Sequence, residues 1–203
     1  MPKISVERMA VGELAVNCYL VENTETHECF VVDPGAEAKR IVQKVGSRKV
    51  CAVLLTHGHY DHIGAVDEIC AHYNVPVYLH AGDAGKMSDP MANVSAVFGT
   101  PLTQNTKPQL LDEGKLVLAG MELEILHTPG HSNGSICCIL PEGQGILTGD
   151  TLFAHGYGRT DFADGDFAKL HMSLRRLFRL TPKMVTYPGH DVPGVVGRDP
   201  VGE

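Results

Sequence analysis

Apolar residues recur at strand-like spacing over Ser5–Met9, Ala15–Glu22 and Glu28–Val32, predicting three early strands. The third stops at Asp33-Pro-Gly35, a turn signal, and three strands in close succession predict an antiparallel start. Ile41, Val42 and Val45 then take helical spacing within Ala36–Val45, and Val50–Leu55 reads as a fully buried strand. Ile63–His72 returns to a helical pattern, followed by a strand at Val75–Leu79. From Asp83 to Pro108 the pattern fades into Gly, Pro, Ser, Thr and Asn, predicting loops and a short helix near a substrate mouth. The second half repeats the scheme, with strands at Lys115–Leu118, Glu122–His127, Ser135–Leu140, Gly145–Leu147 and Met184–Tyr187 and an amphipathic helix over Phe167–Leu180. Two strand-rich halves, each finished by helices, predict a layered α/β sandwich.

Length and charge narrow the class. A chain of 203 residues with no break in composition is expected to form one domain over 1–203. Its 17 basic and 24 acidic residues give a net charge of -7, and the basic residues are scattered, which argues against a nucleic-acid partner. The run Arg175-Arg-Leu-Phe-Arg179 fits the solvated face of its helix. No run approaches the ~20 apolar residues of a membrane span, so neither a membrane nor a leader is expected, and the cytoplasm is the default. The six cysteines lack CxxC spacing and mostly sit in apolar runs, as buried free thiols do. Oligomeric state leaves no sequence signal.

Chemistry concentrates in Thr56-His-Gly-His-Tyr-Asp-His62, three histidines and a carboxylate at the end of a buried strand. On extended backbone His57 and His59 point the same way, and a turn after Gly58 can return Asp61 and His62 to face them. A helix cap at Asp61 would explain one of these four residues. Imidazoles with carboxylates and no thiolate suit zinc, iron or manganese better than magnesium, calcium or a structural zinc knuckle. His127-Thr-Pro-Gly-His131, Leu147-Thr-Gly-Asp150 and Tyr187-Pro-Gly-His190 each place a His or Asp behind a glycine after a strand. Singly each is an ordinary turn; together with Asp33 and the cluster they lie at five strand ends that can converge on one edge. His27, His72, His155 and His171 lack such company and are expected on the surface; His80 is expected near the rim.

This ordered set, Asp33, the His57–His62 cluster, His131, Asp150 and His190, resembles the metallo-β-lactamase superfamily over essentially the whole chain. The resemblance implies a four-layer αββα sandwich and two divalent cations, zinc foremost with iron or manganese as alternatives. It implies that His57, His59 and His131 hold the first metal, that Asp61, His62 and His190 hold the second, and that Asp150 bridges them. Asp61 and Asp150 would be the catalytic carboxylates, and Asp33 would orient a ligating histidine or the cluster backbone. Two such cations ~3.5–4 Å apart lower the pKa of a shared water toward ~7.

His at 59 disfavours the diiron flavoprotein branch and Asp at 150 disfavours the common true β-lactamases. His127–Ser135, Thr148-Gly-Asp-Thr-Leu-Phe153 and Gly158-Arg-Thr-Asp161 resemble the short glyoxalase II (hydroxyacylglutathione hydrolase) proteins. The expected activity is therefore a thioesterase that attacks a small hydroxyacyl-glutathione, or a similar thioester, with a metal-bridging hydroxide. A thiolate of parent pKa ~8.5 leaves without a strong general acid, and none announces itself. Arg159 falls where that group binds the glutathione carboxylate, or else it pairs with Asp161 or Asp164. Full-length glyoxalase II continues past its last histidine into a helical domain, whereas residues 191–203 are all that follow His190, which puts glutathione in doubt. The alternative is a mono-iron persulfide dioxygenase, which shares the cluster and the Gly-Arg-Thr-Asp segment.

Overall fold

In a computed structural model describing residues 3–180 and 184–195, the first half builds one sheet and the second half another. β1 (Ile4–Val11), β2 (Val16–Asn23) and β3 (Glu28–Val32) pair antiparallel. β4 (Lys49–Leu54), β5 (Val77–His80) and β6 (Gln109–Leu111) follow in parallel. In the second sheet, β7 (Gly114–Leu118), β8 (Met121–His127), β9 (Ile136–Ile139) and β10 (Ile146–Gly149) are antiparallel neighbours. β11 (Val185–Pro188) lies parallel to β10, and β12 (Gly194–Val195) closes the edge.

Period-two alternation decides the layering. Phe30, Val32, Ala52 and Leu54 point between the sheets and meet Met121, Leu123, Ile125 and Leu147. Their neighbours Val31 and Val53 face the opposite way, onto Ile41 and Val45 of α1 (Ala38–Val45) and Ile69 of α3 (Val66–Tyr73). Beyond the second sheet, Leu170, Leu174 and Leu177 of α4 (Phe167–Leu180) cover Leu126, Cys137 and Ile146. Each such leucine contributes about 1.5–3 kcal/mol by leaving water. The result is the expected α/β sandwich, in four layers αββα.

Several boundaries move for local reasons. α1 starts at Ala38 rather than Ala36, because Glu37 is left-handed, with φ 58, and its carboxylate accepts the Gly12 N–H at 2.9 Å. The expected Ile63–His72 helix divides into α2 (Tyr60–Ile63) and α3, since Ala65 donates its N–H to the Pro34 carbonyl. β6 begins just past the segment expected to be loop, where no strand was expected; only Leu111 of its three residues is buried, so the pattern was too short to register. The cysteines are free, five of them buried. No helix among the described residues is long and apolar enough to cross a membrane. Residues 196–203, the end of the Gly/Val/Pro tail, lie outside the described residues.

Candidate metal centre

Strand direction gathers the chemistry. β3 and β4 are parallel; β8 and β10, both antiparallel to β9, run alike, and β11 runs with β10. The C-terminal ends of these five strands therefore share one edge, and Asp33, the 57–62 segment, His131, Asp150 and His190 follow them. A backbone bond from the Ile136 N–H to the Thr56 carbonyl at 2.9 Å stitches the two sheets together beside the cluster.

All seven residues of the expected ligand set meet there. Ligand atoms of His57, His59 and His131 lie within 4.8 Å of one another, as do those of Asp61, His62 and His190, and those of His57, His62 and Asp150. Asp150 sits between the first two groups: its oxygens are 3.6 Å from His62 Nε2, His131 Nε2 and His190 Nε2. Asp61 Oδ2 is 3.2 Å from His190 Nε2. Glycines permit the approach: a Cβ on Gly189 would stand 2.7 Å from His62 Cε1, and one on Gly58 would stand 2.8 Å from Lys86 Cβ.

The outer nitrogens are held by the protein. Asp33, itself left-handed at φ 48, accepts the Thr56 N–H at 2.8 Å and the Thr56 hydroxyl at 2.6 Å, and its Oδ2 lies 3.0 Å from His62 Nδ1. The Arg159 carbonyl lies 2.8 Å from His131 Nδ1, and Thr56 Oγ1 lies 3.1 Å from His57 Nδ1. A ring N–H donated outward leaves the other nitrogen's lone pair facing the cluster.

Among the described residues the inner atoms His57 Nε2, His62 Nε2 and Asp150 Oδ1 are buried without a hydrogen bond, while His59 Nδ1 and His131 Nε2 face each other at 2.9 Å. Buried lone pairs converging this way cost free energy unless a cation takes them. Burial, together with the neighbouring His62, His59 and His131, holds His57 well below the ordinary histidine range, and burial with His131 does the same for His59. Burial also opposes charge on His62, but Asp61, Asp150 and Asp33 outweigh it and raise that imidazole to about 10. Asp61 opposes its own burial through His62 and His190 and is held below the usual carboxylate range. The pocket thus combines two imidazoles held neutral, His57 and His59, with carboxylates whose field favours positive charge at His62, so the residues present fit a pair of divalent cations.

Sequence reading missed the supports. Asp83, fully buried, joins the first-half loop to the second through Gly58, Ser132 and Gly134. Lys86 is 3.2 Å from Asp83 and 2.6 Å from Asp164. Asn17 and Tyr19 of β2 donate to the Pro188 carbonyl at 2.9 and 2.7 Å and fix the His190 turn. Asn17 had a signal, a buried amide inside an apolar strand. Asp83 and Lys86, in an unpatterned stretch, had none. His80 stacks on His127 at 4.0 Å, and the other four histidines stand outside the cluster.

A cleft of about 450 Å³ opens onto the cluster, walled by Leu14, Tyr60, Val94, Phe98, Phe153 and Phe162, with Arg159 beside them. Phe162 sets its edge toward His59 at 5.3 Å.

The model of the Metallo-beta-lactamase superfamily matches residues 11–190. The chain is 35% identical over 187 residues to a probable metallo-hydrolase, YqgX, of Bacillus subtilis, covering 90% of this chain and 85% of that one. It is 32% identical over 202 residues to the hydroxyacylglutathione hydrolase GloC of Haemophilus influenzae, covering 97% and 95%. Among solved structures, the BLEG-1 B3 metallo-beta-lactamase superposes with a TM-score of 0.91 at 30% identity over 97% of this chain and 99% of that one. TTHA1623 in a di-iron-bound form superposes with 0.83 at 33% identity over 94% and 95%.

Proposed function

The chain belongs to the metallo-β-lactamase superfamily, and on that premise we propose that it is a glyoxalase II-like thioesterase acting on a hydroxyacyl-glutathione or a similar small thioester. His57, His59 and His131 would hold one cation, Asp61, His62 and His190 a second, and Asp150 both. When bound, two divalent cations, zinc foremost with iron or manganese as alternatives, lower the pKa of water toward ~7 and polarise the carbonyl under attack.

The side chains have separate tasks. Asp33 and the Arg159 carbonyl orient His62 and His131 through their Nδ1 atoms. Asp61, held ionised by His62 and His190, accepts a hydrogen bond from the attacking water and keeps it aimed at the acyl carbon, while Asp150 acts with it as the second catalytic carboxylate. Phe162 and Phe98 keep bulk water from the scissile bond. Arg159, on the cleft wall, binds the substrate. A thiolate departs unprotonated, so no further acid is required.

The observation that carries this reading is that His57, His62 and Asp150 bring ligand atoms within 4.8 Å of one another, while His57 Nε2, His62 Nε2 and Asp150 Oδ1 are buried without a hydrogen bond among the described residues. A relative at 32% identity is a hydroxyacylglutathione hydrolase, which favours thioesters over other substrates of the superfamily. We place the activity in a single domain over 1–203, in the cytoplasm. Purification without added metal, metal analysis and a thioester panel test it. Two metals per chain with thioester hydrolysis are expected; one iron, with oxygen uptake on glutathione persulfide, overturns it.

A further inference from the structure

Two openings lead away from Asp61, the first of them reaching Asp150 as well, and neither offers a free cation among the described residues. The cleft is lined by one Lys or Arg among the described residues, Arg159. Its Nε and Nη2 both donate to Asp161 at 2.6 Å, and its guanidinium lies 4.4 Å over the Phe162 ring. The second opening is a groove of about 550 Å³ that shares Leu14, Tyr60, Asp61 and Phe98 with the cleft. Its lining contains Glu13, Glu37 and Glu68 and, among the described residues, no Lys, Arg or His. Of these three carboxylates only Glu37 is paired among the described residues, with Arg40. Between the openings Leu14 and Phe98 stand 47% and 48% exposed, an apolar lip over which methylenes can bury.

We infer that the thiol arm of the substrate is uncharged and amide-bearing, in preference to a carboxylate-rich peptide thiol such as glutathione. The inference rests on the thioesterase reading, in which the acyl carbonyl sits at the cluster and the thiol arm leaves through one of these openings. A carboxylate entering the cleft meets a guanidinium whose charge is already taken by Asp161 in a two-point pairing, and the Asp161 carboxylate beside it repels a second negative charge. A carboxylate entering the groove meets Glu13 and Glu68, like charges with no ion-pair partner among the described residues, and Glu37, whose charge Arg40 offsets. An amide carbonyl needs one donor, and Arg159 Nη1, which has no partner among the described residues, remains available. The arm's methylenes then cover Leu14 and Phe98.

S-lactoyl-N-acetylcysteamine and S-lactoylglutathione carry one acyl group on an uncharged and a carboxylate-bearing arm. With the zinc-loaded protein, kcat/KM is expected to favour the first by about tenfold or more. Calorimetric binding of S-hexyl-N-acetylcysteamine against S-hexylglutathione reads the arm without turnover and is expected to show the same order. Asp161→Asn, at a side chain 66% exposed, frees Arg159 and should shift both ratios toward glutathione by about threefold or more. A preference for the glutathione ligands, or ratios unmoved in Asp161→Asn, overturns the inference and leaves the thioesterase reading standing. Hydrolysis of neither thioester overturns the thioesterase reading and this one with it.

Discussion

The carboxylate of Asp83 accepts the backbone N–H of Gly58 at 2.8 Å from a position with no solvent exposure. Gly58 separates His57 from His59, and the same carboxylate takes the Ser132 hydroxyl at 2.7 Å and the Gly134 N–H at 2.7 Å, just beyond His131. One side chain therefore sets the distance between two imidazoles from the first sheet and one from the second. The charge that makes these bonds strong is balanced by Lys86, whose other partner, Asp164, accepts the Asn133 N–H.

Asp83→Ala leaves Lys86 short of a partner and the buried Gly58 and Gly134 N–H groups unpaired, so the metal-free protein should lose about 3–5 kcal/mol in urea unfolding. Asp83→Asn keeps an acceptor and should cost less. In both variants, zinc retained after dialysis should fall. A variant with unchanged midpoint and full zinc would show that the bridge does not position the histidines.

Asp33→Asn keeps the size of the side chain but loses the charge facing His62 Nδ1. Metal affinity should fall by about 10–100-fold, read by chelator competition with zinc. Because Thr56 donates twice to Asp33, the companion Thr56→Val should weaken binding in the same direction. Unaltered affinity in both would contradict a role for Asp33 in orienting His62.

Sequence reading gathered the seven residues that meet at the cluster because each belongs to a short motif that follows a strand and holds both the chain reversal and the side chain. It reached the layers because each strand-rich half is finished by helices, and unbroken apolar runs such as Phe30–Val31–Val32 and Ala52–Val53–Leu54 mark strands buried on both faces. It missed Asp83 and Lys86 because a buried ion pair reads in sequence as an ordinary surface pair. It also could not see that Glu37 would turn left-handed, since that follows from a contact with Gly12 on another turn.

A pH effect is expected away from the centre, at Asp67. Burial pushes its carboxyl up, but hydrogen bonds from Thr106 and Asn105 outweigh burial and hold it below its ordinary value. A carboxylate whose folded pKa is depressed stabilises fully above the unfolded value of about 3.9 and loses that stabilisation as pH falls through the folded one. Asp67→Ala should therefore cost about 1–2 kcal/mol near neutral pH, with the difference from the unmodified protein shrinking below about pH 4. A difference that stays constant down to acid denaturation would show that the hydrogen bonds do not depend on the charge.

Asp150→Ala separates a shared centre from two independent ones. Its oxygens lie 3.6 Å from nitrogens of both His131 and His190, so in a shared centre removing them should empty at least one position and bring thioester hydrolysis to background. In independent centres, the imidazole group of His57, His59 and His131 would keep its full metal complement and only the other would suffer. Metal content per chain, measured beside activity, distinguishes the two. The unfolding midpoint adds a second reading, since a ligand bound only by the folded state stabilises it by about 2.7 kcal/mol at a hundred times its Kd. The variant should gain less from added zinc than the unmodified protein does, and an equal gain with full occupancy would remove Asp150 from the ligand set.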